Sequence, residues 1–99
     1  MTPASYRIAW RPLARDDLSS IVPYIGQDSP ANARRFGADI RQQVGSLAAY
    51  PELGRIGRFE GLRELVVHPN YLVFYRIEAK DQRIDILRVR HVAQQTPGR

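Results

Sequence analysis

The side chains in this sequence most able to do chemistry sit in its C-terminal third: Arg63, Tyr71, Tyr75, Arg76, Arg88, Arg90 and His91, with Glu60 and Glu64 close by. A cationic surface carrying a histidine has the parts of a ribonuclease. Cleaving RNA through its own 2′-hydroxyl needs a base, an acid for the leaving 5′-oxygen, and cations around the crowded phosphate. Glu60 or Glu64 suits the base, His91 the acid, and Arg63 or Arg88 the cation. The same residues also have a plainer reading, in which Arg76 and Arg90 face water, Tyr71 and Tyr75 pack beneath helices, and His91 ends a strand. No glycine-rich phosphate loop with a following lysine and no cysteine nucleophile is present. The two histidines, His68 and His91, are too far apart in sequence to argue for a metal site, so neither a metal nor a cofactor is expected.

Ninety-nine residues with a 43% hydrophobic share allow one packed core, and residues 1–99 read as a single domain with 92–99 a loose tail. Without cysteine, no disulfide or thiolate metal site can hold the fold together. Residues 1–11 lack an apolar run of signal-peptide length, and no stretch has the length of a membrane span, so a soluble cytoplasmic protein is expected. The net charge of +5 comes from 15 basic residues, all arginine except Lys80. Arginine grips phosphates and carboxylates with a planar fork, so such a surface suits RNA, DNA or an acidic protein. Codon composition explains the same bias without any function.

These residues must be positioned by a small set of elements. Tyr6-Arg7-Ile8-Ala9-Trp10-Arg11 alternates as a strand does and ends at Pro12. Ala14, Leu18, Ile21, Val22 and Ile25 then recur at helical spacing, and Pro23 should kink that helix or end it early. Ser29-Pro30 is a helix start, because serine caps and proline suits the first helical position. Ala33, Phe36, Ile40, Val44 and Leu47 form the second apolar stripe, which Pro51 closes. A short break at Gln27-Asp28 makes the helices an antiparallel hairpin. Residues 51–61 lack periodicity and read as a loop. Strands follow at 62–67, 71–78 and 82–91, a meander with turns at His68-Pro69-Asn70 and Ala79-Lys80-Asp81. In the last strand Ile84 and Ile86 fall on one face and Leu87 and Val89 on the other. Either a bulge intervenes or both faces are covered, as in an interior strand. The fold expected is α+β, β-α-α-β-β-β, with the helix hairpin on one face of a mainly antiparallel four-stranded sheet.

Pro51-Glu52-Leu53-Gly54-Arg55, Leu62-Arg63-Glu64-Leu65, Tyr71-Leu72-Val73-Phe74-Tyr75-Arg76 and Ile86-Leu87-Arg88-Val89-Arg90-His91 resemble successive signatures of the RelE/ParE toxins. With the strand–helix–helix opening, the resemblance spans nearly the whole chain. It implies the toxin of a bacterial type II toxin–antitoxin system, neutralised by a cognate antitoxin that lays an acidic segment over a basic surface, with operator DNA contacted only through the antitoxin. RelE-like members cleave messenger RNA on the ribosome, whereas ParE-like members inhibit DNA gyrase. Where RelE-like nucleases often place a catalytic arginine after the tyrosine opening the third strand, Leu72 follows Tyr71. Where they often carry lysines on the second strand, residues 62–67 offer Arg63. His91 stands where some of the nucleases keep a catalytic histidine or tyrosine. The resemblance leans to ParE, with Tyr24, Arg34, Arg35, Arg41, Arg88, Arg90 and His91 expected to meet the target. The alternative is a metal-independent endoribonuclease using Arg63, Arg88 and His91, with Glu60 or Glu64 assisting.

Overall fold

The computed structural model describes residues 5–25, 30–67 and 70–92, and of residues 22–25 the backbone alone. Strand β1 (Arg7–Trp10) leads into helix α1 (Pro12–Ile25) and helix α2 (Pro30–Gly45). A 3-10 turn at Ser46–Ala48 follows, then strands β2 (Arg55–Ile56), β3 (Arg63–Val67), β4 (Tyr71–Glu78) and β5 (Arg83–His91). The sheet order is β1-β5-β4-β3-β2. The β1–β5 pair is parallel and the others are antiparallel.

The helices form where the apolar stripes recur. Ala14 and Leu18 of α1 and Phe36, Ile40 and Val44 of α2 are buried in one cluster with Leu65, Val73, Tyr75, Ile84, Ile86 and Val89 of the sheet. Each fully buried Ile, Leu or Val there contributes about 1.5–3 kcal/mol. The expected α+β arrangement is therefore present, with the helices on one face of a mainly antiparallel sheet. Both explanations offered for β5 hold together. The β4–β5 register shifts between Phe74 and Tyr75, which pair with Arg88 and Ile86, so Leu87 is the extra residue. The bulge returns Val89 to the face of Ile84 and Ile86. On the opposite face Leu72 and Phe74 are buried as well, Phe74 under the ring of Phe59 at 6.4 Å between centroids.

Two expectations need correction. The sheet has five strands and not four: residues 51–61 include β2, which pairs Arg55 with Glu64 and Ile56 with Arg63. Two residues are too few to show an alternation. Helix α1 does not stop at Pro23 but continues to Ile25. The hydrogen bond that proline forfeits belongs to the carbonyl of Ser19, which lies on an exposed residue where water can replace it. The hairpin break at Gln27-Asp28, the Ser29 cap, His68-Pro69 and the tail beyond Val92 lie outside the described residues.

The segment before β2 is held by a buried phenol. Tyr75 donates its hydroxyl to the Pro51 carbonyl at 2.7 Å and accepts from the Gly54 amide at 2.9 Å. Burial pushes the phenol above its ordinary pKa, so it stays a donor. A Cβ on Gly54 would lie 2.7 Å from the Tyr75 hydroxyl and 2.8 Å from the Glu64 carbonyl. Gly54→Ala should therefore cost about 1–3 kcal/mol, because a backbone oxygen cannot step aside as a side-chain tip can. Urea unfolding checks this, and an unchanged midpoint would contradict the tight fit.

Candidate functional site

The charged residues singled out in the sequence separate into two groups, those tied into the fold and those left on its surface. Arg88 belongs to the first. Strand β1 pairs with β5 only as far as Ile86, so among the described residues the outer edge of β5 beyond that point has no neighbouring strand. Asp17 of α1 fills the gap: it accepts from the Val89 amide at 2.9 Å and takes the Arg88 guanidinium at 2.7 and 2.9 Å. Both side chains are 15% exposed. The hydrogen bonds to Asp17 hold the Arg88 guanidinium even above its usual high pKa.

Glu64 is likewise engaged. It is 3% exposed and holds Arg55 of the neighbouring β2 through one carboxylate oxygen, with Arg55 Nη2 at 3.0 Å. The other oxygen, Oε2, is buried beside Gly57 without a hydrogen-bond partner. Arg63, on the opposite face, donates to the Gly54 carbonyl at 2.8 Å and lies 3.6 Å from Glu52. Glu60 is exposed in the loop between β2 and β3.

His91 ends β5 opposite Tyr71, and their rings meet edge to face at 5.3 Å. Tyr71 meets Phe36 of α2 in the same way at 5.3 Å, so an aromatic row runs from the helix to the end of the sheet. Arg63 lies four residues further along β4, opposite Tyr75, and on the other side of that strand. At ordinary strand spacings the Cα atoms of Arg63 and His91 are about 16 Å apart. The expected base, acid and cations are thus spread over both faces and two edges of the sheet.

The remaining cations are differently placed. Arg34, Arg35 and Arg41 are exposed on α2 and have no ion-pair partner among the described residues. Arg34 and Arg41 lie two turns apart, so they share a stripe of the helix. Arg90 is half-buried, in register with Leu72, and its Nε has no hydrogen-bond partner. Arg76 is exposed. Of Tyr24 the side chain lies outside the described part.

Asp17 and Asp85 were not among the residues expected to matter. Asp85 is 5% exposed and is held by Arg83 at 2.8 Å and Arg11 at 2.8 Å. The hydrogen bond from Arg83, and then the charge of Arg11, keep its carboxyl below the usual carboxylate range despite burial. Because the folded pKa is depressed, the stabilisation is complete above the unfolded value near about pH 4 and is lost as pH falls through the folded value. Asp85→Asn should reduce the loss of stability between neutral pH and about pH 3, as read by urea midpoints. An unaltered acid limb would contradict the pairing. Both aspartates carried a sequence signal. Asp17 stands on the stripe of Ala14, Leu18 and Ile21, and Asp85 lies between Ile84 and Ile86 in an interior strand.

No three His, Asp or Glu side chains converge as metal ligands would among the described residues. No helix among them is long and apolar enough to cross a membrane.

Residues 8–96, which include every element carrying these side chains, match the family described as the ParE toxin of the type II toxin–antitoxin system parDE. The chain belongs to the ParE toxin family. This ParE-family toxin is 45% identical over 85 residues to the toxin RelE2 of Caulobacter vibrioides, across 86% of its own length and 91% of that protein. Its fold is similar to a chain from the chromosomal ParDE toxin–antitoxin system of P. aeruginosa, with a TM-score of 0.79 and 26% identity over 91% of this chain and 99% of that one. It is also similar to a chain of the toxin–antitoxin complex RelBE2 of Mycobacterium tuberculosis, with a TM-score of 0.69 and 26% identity over 91% and 94%. Relatives with both names confirm a toxin of the RelE/ParE superfamily.

Proposed function

We propose that this ParE-family toxin arrests growth by binding DNA gyrase, and that a cognate antitoxin neutralises it. The observation that carries the reading is the contrast between cations tied into the fold and cations with no ion-pair partner among the described residues. Arg88 is clamped by Asp17, Arg63 is bound to the segment before β2, and Glu64 is locked by Arg55. By contrast Arg34, Arg35 and Arg41 stand exposed on one helix, as contacts with an acidic partner surface would. An interface needs exposed charges on a firm scaffold, whereas phosphodiester cleavage needs its groups within reach of one phosphorus atom. The antitoxin follows from the structural relatives, which come from toxin–antitoxin systems. Induction in growing cells tests the gyrase target. Reporter plasmids should lose supercoiling and accumulate breaks while messenger RNA stays intact, and early messenger cleavage with normal supercoiling would contradict it.

One observation favours a second reading, a ribosome-dependent endoribonuclease: His91 is half-exposed at a strand end against Tyr71, where a general acid and an aromatic platform for a base can work together. In that case His91→Gln abolishes messenger cleavage and leaves ribosome binding.

A further inference from the structure

The carboxylate oxygens of Glu64 are unequally treated. The guanidinium of Arg55 presents a fork that can span both, yet its Nε and Nη2 converge on Oε1, at 3.2 and 3.0 Å. Oε2 is left without a hydrogen-bond partner among the described residues, on a side chain only 3% exposed. A buried carboxylate oxygen without a donor is costly, and such an atom calls for a reason. Its surroundings supply one. Beside it lies a groove of about 370 Å³, lined by Arg55, Ile56, Gly57, Arg58 and Glu64, a size that small-molecule sites share. A Cβ on Gly57 would stand 2.7 Å from Oε2, so any side chain there would block the approach that glycine leaves. Arg55 is 63% exposed along its side chain, and its Nη1 makes no bond among the described residues. Arg58 is exposed too, its guanidinium 6.0 Å from the centre of the Phe59 ring.

These groups narrow the ligand. Oε2 asks for an N–H donor, and that donor must be neutral, because two guanidinium groups flank the groove and repel an ammonium. The rest of the ligand is anionic, because both guanidinium groups turn outward on a chain of net charge +5. A nucleotide joins the two properties. Among the bases, adenine has its exocyclic amine as its one N–H donor group, whereas guanine brings further N–H groups to a single vacant oxygen. We propose that this groove binds an adenine nucleotide, with the base amine donating to Glu64 Oε2 and the phosphates held by Arg55 Nη1 and Arg58. Oε2 is buried as the loop between β2 and β3 stands, so the base enters as that loop lifts. Gly57 and Gly61, the latter at φ 77°, are the points where the backbone can turn. The site is separate from the exposed arginines of α2, and it stands whether the target of the toxin is gyrase or the ribosome.

The test is calorimetric titration of the purified toxin, without gyrase, by three probes: ATP, purine riboside triphosphate, which has hydrogen in place of the amine, and inorganic triphosphate. ATP should bind at least roughly tenfold more tightly than either of the others, since only ATP gives Oε2 its donor. Glu64→Gln leaves the amide oxygen on Arg55 and turns its NH2 toward the incoming amine. That variant should lose at least roughly tenfold in ATP affinity while its affinity for inorganic triphosphate does not fall. If Glu64→Gln does not fold, Arg58→Gln changes only an exposed side chain and should weaken ATP and inorganic triphosphate alike. Absence of ATP binding, equal affinity for ATP and either of the other probes, or full ATP affinity in a folded variant would overturn the proposal.

Discussion

Replacing Asp17 with alanine should lower the unfolding free energy by about 3–5 kcal/mol, the cost typical of removing one partner from a largely buried ion pair. The substitution deprives the Arg88 guanidinium of two charge-assisted hydrogen bonds and uncaps the Val89 amide on a strand edge that β1 does not reach. It also removes the polar tie between α1 and β5, elements 71 residues apart in sequence at the bond itself, and leaves the apolar packing between them. Asp17→Ala combined with Arg88→Leu should recover part of the loss, since no guanidinium is then left buried without its carboxylate. Urea unfolding of the two variants measures both. If the single variant unfolds at the wild-type midpoint, Arg88 is not structural, and its candidacy as a target or catalytic cation returns.

The second large effect concerns activity and not stability. Arg34→Glu with Arg35→Glu should raise the concentration needed for half-maximal gyrase inhibition by roughly hundredfold or more, if each reversed contact costs about 1.5 kcal/mol or above. Both side chains are exposed on α2, so thermal unfolding should move little. The matched control is Arg7→Glu with Arg76→Glu, which reverses two exposed charges on the sheet instead of the helix. Equal loss from the control would make the effect one of net charge, and undiminished growth arrest in the double variant would remove α2 from the interface.

Much of this fold was legible in the sequence because its signals are periodic. The stripes of Ala14, Leu18, Phe36, Ile40 and Val44 predict the buried helix faces, and the β-branched and aromatic run of 71–78 between two turns predicts β4 to the residue. The misplaced face of Leu87 and Val89 left a bulge or two covered faces open, and β5 has both. What escaped was short or tertiary. Strand β2 has two residues, and Arg55 gives no local hint that it will pair with Glu64. Helix α1 passes Pro23 because the carbonyl left without its hydrogen bond is that of Ser19, an exposed residue. The site was harder to read. Arginines attract notice as candidate catalysts, but whether one is free depends on a carboxylate far away in the chain, as Asp17 is from Arg88. The separation of Arg63 from His91 is likewise a matter of register across β4, which spacing along the chain does not reveal.

The central claim, that the exposed arginines of this ParE-family toxin serve an interface with gyrase, is met most directly by supercoiling of relaxed plasmid with purified gyrase, ATP and the purified toxin. The expected result is lost supercoiling together with cleaved DNA trapped on the enzyme, reversed by the antitoxin and absent with the Arg34→Glu, Arg35→Glu variant. Full supercoiling activity in the presence of folded toxin that still arrests growth would contradict the claim and direct attention to the ribosome, with His91 the first residue to test.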